Sequence, residues 1–262
     1  MAIHPTAVVD PGAVLGDVEV GPYAIIGAGV TLANGVKVGP HSVIHGTTTV
    51  GEGTVLHAHV VLGDLPQDLK HDPSADTRLV VGKGNVFREF TTAHRGSSAS
   101  TGLTTIGDRN YFMANSHVAH DCTVGNDCMF ANSAAIAGHV TIEDGVILGG
   151  LCAVHQFSRV GRLAMVGGGA MCAQDVPPFT LAQGDRARLY GLNIIGLRRA
   201  GASNEVISAL KDAWRTLFVE GLPRKVALMR AGEAHPGVAE VAELAAFIRA
   251  SERGVCRGGL GH

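Results

Sequence analysis

The run Ile106-Gly107-Asp108-Arg109-Asn110-Tyr111, Phe112-Met113-Ala114-Asn115-Ser116-His117, Val118-Ala119-His120-Asp121-Cys122-Thr123, Val124-Gly125-Asn126-Asp127-Cys128-Met129 repeats every six residues. The cadence continues through Phe130, Ile136, Ile142, Leu148, Val154, Val160, Val166 and Cys172, and every leading position is apolar. The next residue is often Gly or Ala, as at Gly107, Ala119, Gly125 and Gly149, and the fifth is small or β-branched, as at Cys122, Ala134 and Val140. A period of six does not match the 3.6-residue turn of an amphipathic helix. It matches a hexapeptide β-helix, in which each unit is a short strand plus a corner and the aliphatic residue points inward onto its equivalent one coil away. Three units close a triangular coil of about eighteen residues, and coils stack roughly 4.8 Å apart, the spacing of paired strands. Gly, Asn and Asp are expected at corners where φ is positive.

Outward from this run the cadence covers two thirds of the chain. Ile3, Val9 and Leu15 are six apart; one residue is dropped, and Val20, Ile26, Leu32, Val38, Ile44, Val50, Leu56 and Leu62 follow. An interruption near 63–80 precedes Val81, Phe87 and Ala93, and a second near 95–105 precedes Ile106. The register ends near Pro177-Pro178, giving a β-helix over 1–178, a linking segment over 179–201 and an α-helical domain over 202–262. In that domain Ser203 caps a helix with an inward stripe Val206, Leu210, Trp214 and Leu217. Pro223 starts a second helix with Val226 and Met229 inward, and Pro236 a third with Val238, Val241, Leu244 and Ile248 on one face. Gly254 onward is expected to fray.

Composition fits this reading. Among 262 residues there are 36 Gly and only 5% aromatics, which suits a thin repetitive core with many tight corners. Net charge is −2, which does not suggest a nucleic-acid binder. The charge is split: 1–184 carry 9 Lys/Arg against 15 Asp/Glu, and 185–262 carry 12 against 8. A basic tail on an acidic body invites an acidic partner, or is an ordinary helical surface. The 5 Cys form no C-x-x-C pair and read as reduced, buried apolar residues. Met1-Ala2-Ile3-His4-Pro5 is not a signal peptide and no apolar run is long enough to span a membrane, so the cytosol is the expected location. There is no phosphate-binding Gly-x-x-x-x-Gly-Lys-Ser/Thr motif, and Gly167-Gly168-Gly169 lies inside the repeat.

Of the 13 His, several (His4, His41, His45, His57, His59, His235, His262) read as corner or surface residues. The units at Val118, Ile136 and Val154 fall on the same side of successive coils and carry His120, His139 and His155. If 95–105 is an inserted loop, His94 lies on that side one coil earlier, and His117 ends the unit before Val118. Four or five imidazoles along one edge make a candidate site. A solvated polar edge is one reading. A zinc site is another, as in β-helix carbonic anhydrases, although His117 and His120 have two residues between them where that resemblance wants four. Acyl transfer is the third: a neutral imidazole takes a proton from a sugar hydroxyl, and Asp121 beside His120 orients it.

Longer stretches carry a resemblance. They are His117-Val118-Ala119-His120-Asp121-Cys122-Thr123-Val124-Gly125-Asn126, Ala137-Gly138-His139-Val140, Val154-His155-Gln156-Phe157, Ala173-Gln174-Asp175-Val176-Pro177-Pro178 and Gly191-Leu192-Asn193. At the two interruptions sit Pro66-Gln67-Asp68-Leu69-Lys70 and Thr91-Thr92-Ala93-His94-Arg95-Gly96. Together they resemble the UDP-N-acetylglucosamine O-acyltransferases among the hexapeptide-repeat acyltransferases, over nearly the whole chain. The resemblance implies a mainly β fold, a left-handed parallel β-helix of hexapeptide repeats with a C-terminal α-helical domain. It implies transfer of a (3R)-hydroxyacyl chain from acyl carrier protein to the 3-hydroxyl of UDP-N-acetylglucosamine, in lipid A biosynthesis, with no cofactor and no metal. It implies a homotrimer with sites between subunits, and a carrier-binding role for the basic tail.

By match, His120 is the general base, Asp121 its partner and the Gly138 N–H an oxyanion donor. His117 and His139 bind substrate near the reacting centre; Gln67, Asp68 and Lys70 hold the sugar nucleotide; His94, His155, Gln156, Asn193 and Arg199 match further nucleotide or phosphate contacts. Gly168 matches the acyl-length determinant, and Gly there implies a chain nearer fourteen carbons than ten. Two residues depart from the pattern: Ile195 stands where the family carries Glu, and Ala200 where it carries a third basic residue. They leave a 3-amino sugar nucleotide open as acceptor. The related N-acyltransferase carries an extra N-terminal domain, whereas these repeats begin at Ile3. A β-helix scaffold would need an outward ladder, and Thr47-Thr48-Thr49 does not recur along the coils.

Overall fold

A computed structural model describes residues 1–258 of the chain; His262, expected at the surface, lies outside them. Short parallel strands, most only two residues long, stack into three walls of eleven, nine and eight strands. Together they form a left-handed parallel β-helix. The walls are fully regular where the hexads are. Val118 pairs with Ile136, Ile136 with Val154 and Val154 with Cys172, and all four are buried. On the next wall Phe87, Phe112 and Phe130 stack inside the prism with ring centroids 4.7 Å apart, and each is fully buried. Like residues stacked in register exclude water along the whole axis, which is the main stabilising force of such a solenoid.

Breaks in the cadence show up as shifts in pairing. Ile3 pairs with Val20 and Leu15 with Leu32, one residue closer than in later coils, because of the residue dropped before Val20. Val50 pairs with Val81, and Val81 with Ile106. The surplus residues leave the wall as two loops, between Asp64 and Arg78 and between His94 and Leu103. Both loops emerge at the same corner, between the nine- and eight-stranded walls.

Corner chemistry is less restricted than expected. Besides Gly, Asn and Asp, the positive-φ residues include Tyr23, His41, His59, Phe90, Leu151, Phe157 and Leu163. Left-handed backbone costs a bulky residue about 1–3 kcal/mol. On these corners the side chains point outward, and some recover contact by stacking: Tyr23, His41, His59 and Phe90 form a ladder with centroids 5.1, 5.0 and 4.9 Å apart.

The segment expected as a linker is structured. Thr180–Gln183 joins the eleven-stranded wall parallel to Met165–Val166, then turns back as Arg188–Leu192 to close the end of the prism. Helix α1 (Ile194–Arg199) follows, then α2 (Asn204–Phe218), α3 (Arg224–Ala234) and α4 (Ala239–Arg249). Ser203 Oγ accepts a bond from the Val206 N–H and caps α2. The face of α2 is rotated from the expected stripe. Ile207, Ala209, Leu210 and Ala213 are buried, while Trp214 and Phe218 lean on the β-helix and Val206 and Leu217 on the helical core. In α3 the buried residues are Ala227, Leu228 and Ala231, and Met229 is 55% exposed, so the face that seats this helix is turned away from the expected one. Val241, Leu244 and Ile248 are buried on α4.

Helices and prism are clasped by Arg162, which forks onto Glu243 with bonds of 2.7–3.2 Å. Gly254 to Gly258 are not frayed. Val255 bridges Asp175, Gly258 bridges Leu189, and Cys256 is buried. All five cysteines are free and buried. No helix among the described residues is long and apolar enough to cross a membrane.

Phe112→Ala leaves a void between Phe87 and Phe130 and is expected to cost about 3–5 kcal/mol in chemical denaturation. Leu151→Asn, at a φ of 60° with the side chain 68% exposed, is expected to cost nothing. Equal losses for both would mean that the inward stack is not what holds the prism.

Candidate functional site

The corner that carries both loops also carries the histidines. His117-Val118 and Ala135-Ile136 are strands of the nine-stranded wall, so His120-Asp121 and Gly138-His139 follow at the corner of adjacent coils. Asp121 and His139 both have positive φ, which turns their side chains toward the loop 95–102.

Asp121 is the best-anchored polar group of the site. Its side chain is fully buried, and His120 Nδ1 lies 2.8 Å from Oδ2. The Ser97 N–H donates to Oδ2 at 3.0 Å; Thr101 Oγ1 and the Gly102 N–H donate to Oδ1 at 2.9 and 3.2 Å. The Asp121 N–H donates to Thr104 Oγ1 at 2.8 Å. Burial by itself would raise this carboxyl pKa, but the bonds from His120, Ser97 and Thr101 prevail and hold it below the ordinary value. An ionised carboxylate only accepts, so Nδ1 of His120 carries the proton and Nε2 is left as a free acceptor.

Gly138 fits under that imidazole. A Cβ there would lie 2.6 Å from His120 Cε1, so no larger residue lets the ring rest over this backbone. Among the described residues the Gly138 N–H has no hydrogen-bond partner. His139 meets His120 edge-on at 5.1 Å, stacks on Phe157 at 4.3 Å and has Nδ1 3.3 Å from Ser100 Oγ. His94 and His117 also meet edge-on, at 4.9 Å; His117 Nδ1 is 2.7 Å from Thr92 Oγ1, and His94 Nδ1 is buried without a partner. Burial pushes His117 down to about 4, with the neighbouring His94 and His120 adding to it; burial also lowers His94 and His139. These rings are neutral at pH 7.

His120, Asp121 and His139 have ligand atoms within 4.8 Å of one another, a trio spaced to hold a metal ion. Nδ1 of His120 is engaged with Asp121 and Nδ1 of His139 with Ser100, which leaves the two Nε2 atoms.

The loop 65–77 borders this corner. Asp68 is half-buried and close enough to His139 to favour its charged form, while Gln67 and Lys70 are exposed. The two loops are stitched together, Ser98 N–H to His71 Nδ1 at 3.1 Å and Asp72 N–H to Ser98 Oγ at 2.8 Å. Two coils from His120, His155 is exposed and lies 3.2 Å from Arg253 Nη2, with exposed Gln156 beside it. Gly168 is exposed, with only the Gly150 backbone near its Cβ position.

The remaining candidates stand apart. Asn193 caps α1: its Oδ1 accepts from the Gly196 N–H at 3.0 Å and its Nδ2 donates to Leu163 O at 2.9 Å. Arg199 is exposed at the end of α1, where Ala200 is the C-cap, and Ile195 is exposed in the first turn.

Sequence reading missed Ser97, Ser100, Thr101, Thr104 and His71. One sign was available: Gly96 sits where the loop crosses itself, and a Cβ there would meet the Gly102 and Leu103 backbone at 2.0 Å.

Comparisons with known proteins show which family the chain resembles. Residues 175–256 match the family described as UDP N-acetylglucosamine O-acyltransferase, domain 2, and residues 103–138 match the bacterial transferase hexapeptide family. The acyl-[acyl-carrier-protein]–UDP-N-acetylglucosamine O-acyltransferase of Stenotrophomonas maltophilia is 48% identical over 97% of each chain. The protein of that name from Anaeromyxobacter dehalogenans is 48% identical over 98% of this chain and 100% of its own. The crystal structure of a UDP-N-acetylglucosamine acyltransferase from Bacteroides fragilis superposes with a TM-score of 0.94 at 36% identity, covering 97% of this chain and 100% of that one.

The neutral histidines set a pH dependence. An unfolded chain titrates them near 6.5, whereas the folded chain protonates His117 only at about 4. The unfolded state therefore binds more protons in this range, so stability is fully present above about 6.5 and falls as pH drops toward 4. Urea unfolding at pH 7.5, 5.5 and 4.5 is expected to show that loss, with a shallower slope in His117→Gln. An unchanged slope would mean that His117 is not held neutral.

Proposed function

The chain belongs to the UDP-N-acetylglucosamine O-acyltransferase family, and from that membership we propose a mechanism for its transfer of an acyl group from acyl carrier protein to UDP-N-acetylglucosamine. The observation that carries the mechanism is the His120–Asp121 pair, whose ring lies against Gly138 with Nε2 free, next to a Gly138 N–H that has no partner among the described residues.

In this reading Nε2 of His120 takes the proton from the sugar 3-hydroxyl as that oxygen attacks the thioester carbon. Asp121 stabilises the imidazolium that forms. Negative charge collects on the thioester oxygen, facing the Gly138 N–H; one such donor is worth about 3–4 kcal/mol. The C–S bond then breaks, the leaving sulfur takes the proton from His120, and the products are the 3-O-acyl sugar nucleotide and the free carrier thiol. His117 and His139, both neutral, position the sugar, with Gln67, Asp68 and Lys70 from the first loop. His94, His155, Gln156 and Arg199 contact the nucleotide. The Asn193 side chain is engaged in its cap, so its contribution is to hold α1 and Arg199 in place.

The acyl chain is a (3R)-hydroxyacyl group and the step belongs to lipid A biosynthesis, in the cytoplasm. Gly168 leaves the groove open for a chain near fourteen carbons. The histidine corner is convex and lacks an opposing wall within one chain, which supports a homotrimer with sites between subunits.

His120→Ala is expected to lower the rate by at least about 10²-fold, with Asp121→Asn intermediate. The assay offers UDP-N-acetylglucosamine with 3-hydroxyacyl carrier proteins of ten, twelve and fourteen carbons. Full activity in His120→Ala would remove His120 as base. A folded wild-type protein inactive on this acceptor but active on the 3-amino sugar nucleotide would trace the difference to Ile195 and Ala200.

A further inference from the structure

His71 stands outside the residues that the mechanism uses, yet it lies where the two loops of the site meet. Its backbone N–H donates to Asp68 O at 3.0 Å, and the Lys70 N–H donates to Asp68 Oδ1 at 2.9 Å. Residues 68–71 are therefore one tight turn, with Asp68, Lys70 and His71 fixed relative to each other. From that turn the His71 ring reaches the second loop, where Nδ1 accepts the Ser98 N–H at 3.1 Å. One residue earlier, the Ser97 N–H donates to Asp121 Oδ2 at 3.0 Å. Two consecutive amides of the second loop thus serve the carboxylate beside His120 and the turn of the first loop.

Little else holds that turn. In loop 65–77 only Pro66 and Thr77, near its two ends, are buried. Among the described residues one further hydrogen bond joins loop 65–77 to loop 95–102, from the Asp72 N–H to Ser98 Oγ at 2.8 Å, and it ends on the same serine. A segment with so little buried surface takes its order from a few hydrogen bonds. The bond also fixes the tautomer of His71. Nδ1 accepts, so the neutral ring carries its proton on Nε2, an atom that is buried without a partner. The polar contribution of this side chain is the acceptor at Nδ1.

We propose that His71 is a positioning residue of the acyl transfer. It hangs the turn that carries Asp68 and Lys70 on the loop that holds Asp121, so that the groups that seat the sugar and the pair that deprotonates it are set as one unit. This rests on the assignment of Asp68 and Lys70 to the sugar nucleotide and of His120–Asp121 to proton transfer. Loss of the bond frees the turn, and through Ser98 and Ser97 it loosens the hold on Asp121.

The test compares His71→Ala, which removes the acceptor, with His71→Asn, whose Oδ1 takes the place of Nδ1. His71→Ala is expected to weaken calorimetric binding of UDP-N-acetylglucosamine and raise its KM about threefold to tenfold, as the loss of one hydrogen bond allows. It is expected to lower kcat and to leave the KM of the acyl carrier protein unchanged, and His71→Asn restores both parameters. The kcat loss is expected to vanish when Asp121→Asn is already present, because His71 then has no carboxylate to align. A loss as large in His71→Asn as in His71→Ala, equal rises in both KM values, or kcat losses that multiply independently in the double variant overturn the inference. A lowered urea midpoint with kcat and KM unchanged overturns it too, by making His71 a residue of the fold alone. If the wild type binds no UDP-N-acetylglucosamine, the assignment of Asp68 and Lys70 fails instead. Hydrogen exchange then decides the staple by itself: faster exchange of the 95–102 amides in His71→Ala than in His71→Asn upholds the link between the loops, and equal exchange removes it.

Discussion

Every other feature of this chain depends on one constraint, the stacking of each inward aliphatic residue on its equivalent in the next coil. Val118, Ile136, Val154 and Cys172 occupy one column, and Phe87, Phe112 and Phe130 another. A slip of one residue would turn these side chains to solvent and bring corner residues inside. With the register fixed, residues at one corner of successive coils come to lie about 4.8 Å apart. Imidazoles from sequence-distant units are thereby brought into edge contact, as His120 and His139 are. The site is a by-product of translation along an axis.

The rigid prism would not by itself bury a carboxylate. That task falls to the second loop, which leaves the wall at His94, crosses itself at Gly96 and returns at Leu103. In doing so it brings two backbone amides and a hydroxyl to Asp121. An irregular insertion thus gives a buried, hydrogen-bonded environment to the carboxylate that pairs with the His120 imidazole. Regular repeat and irregular loop do different work: the repeat sets distances, and the loop sets protonation.

The same division explains what the sequence disclosed. Hexads are periodic, so the walls, the interruptions and the histidine column could be read by counting. His120, Asp121, Gly138 and His139 fall together because the count places them together. Thr101 and Ser97 could not be reached in this way, since a loop has no period and its donors include backbone groups of any residue type. The hairpin 180–192 was hidden because Pro177-Pro178 breaks the cadence just before it, although Thr180–Gln183 still pairs with the wall. Helix α3 was also misjudged: Val226 and Met229 were expected inward, whereas Ala227, Leu228 and Ala231 form its buried face. The resemblance identified Asn193 from its motif, yet a motif does not say whether a side chain faces a ligand or, as here, its own helix.

Because the histidine corner and the closing hairpin 180–192 are mounted on the same stack, the distance between them is quantised. The His120–Asp121 pair sits in one coil and the hairpin closes the stack further along, so their separation is set by the number of coils between them. Side-chain changes can trim that length, but a larger change requires adding or removing an entire coil. The prism is therefore a measuring rod with fixed graduations of about 4.8 Å. Two groups carried on different coils could be moved further apart only by a step of that size.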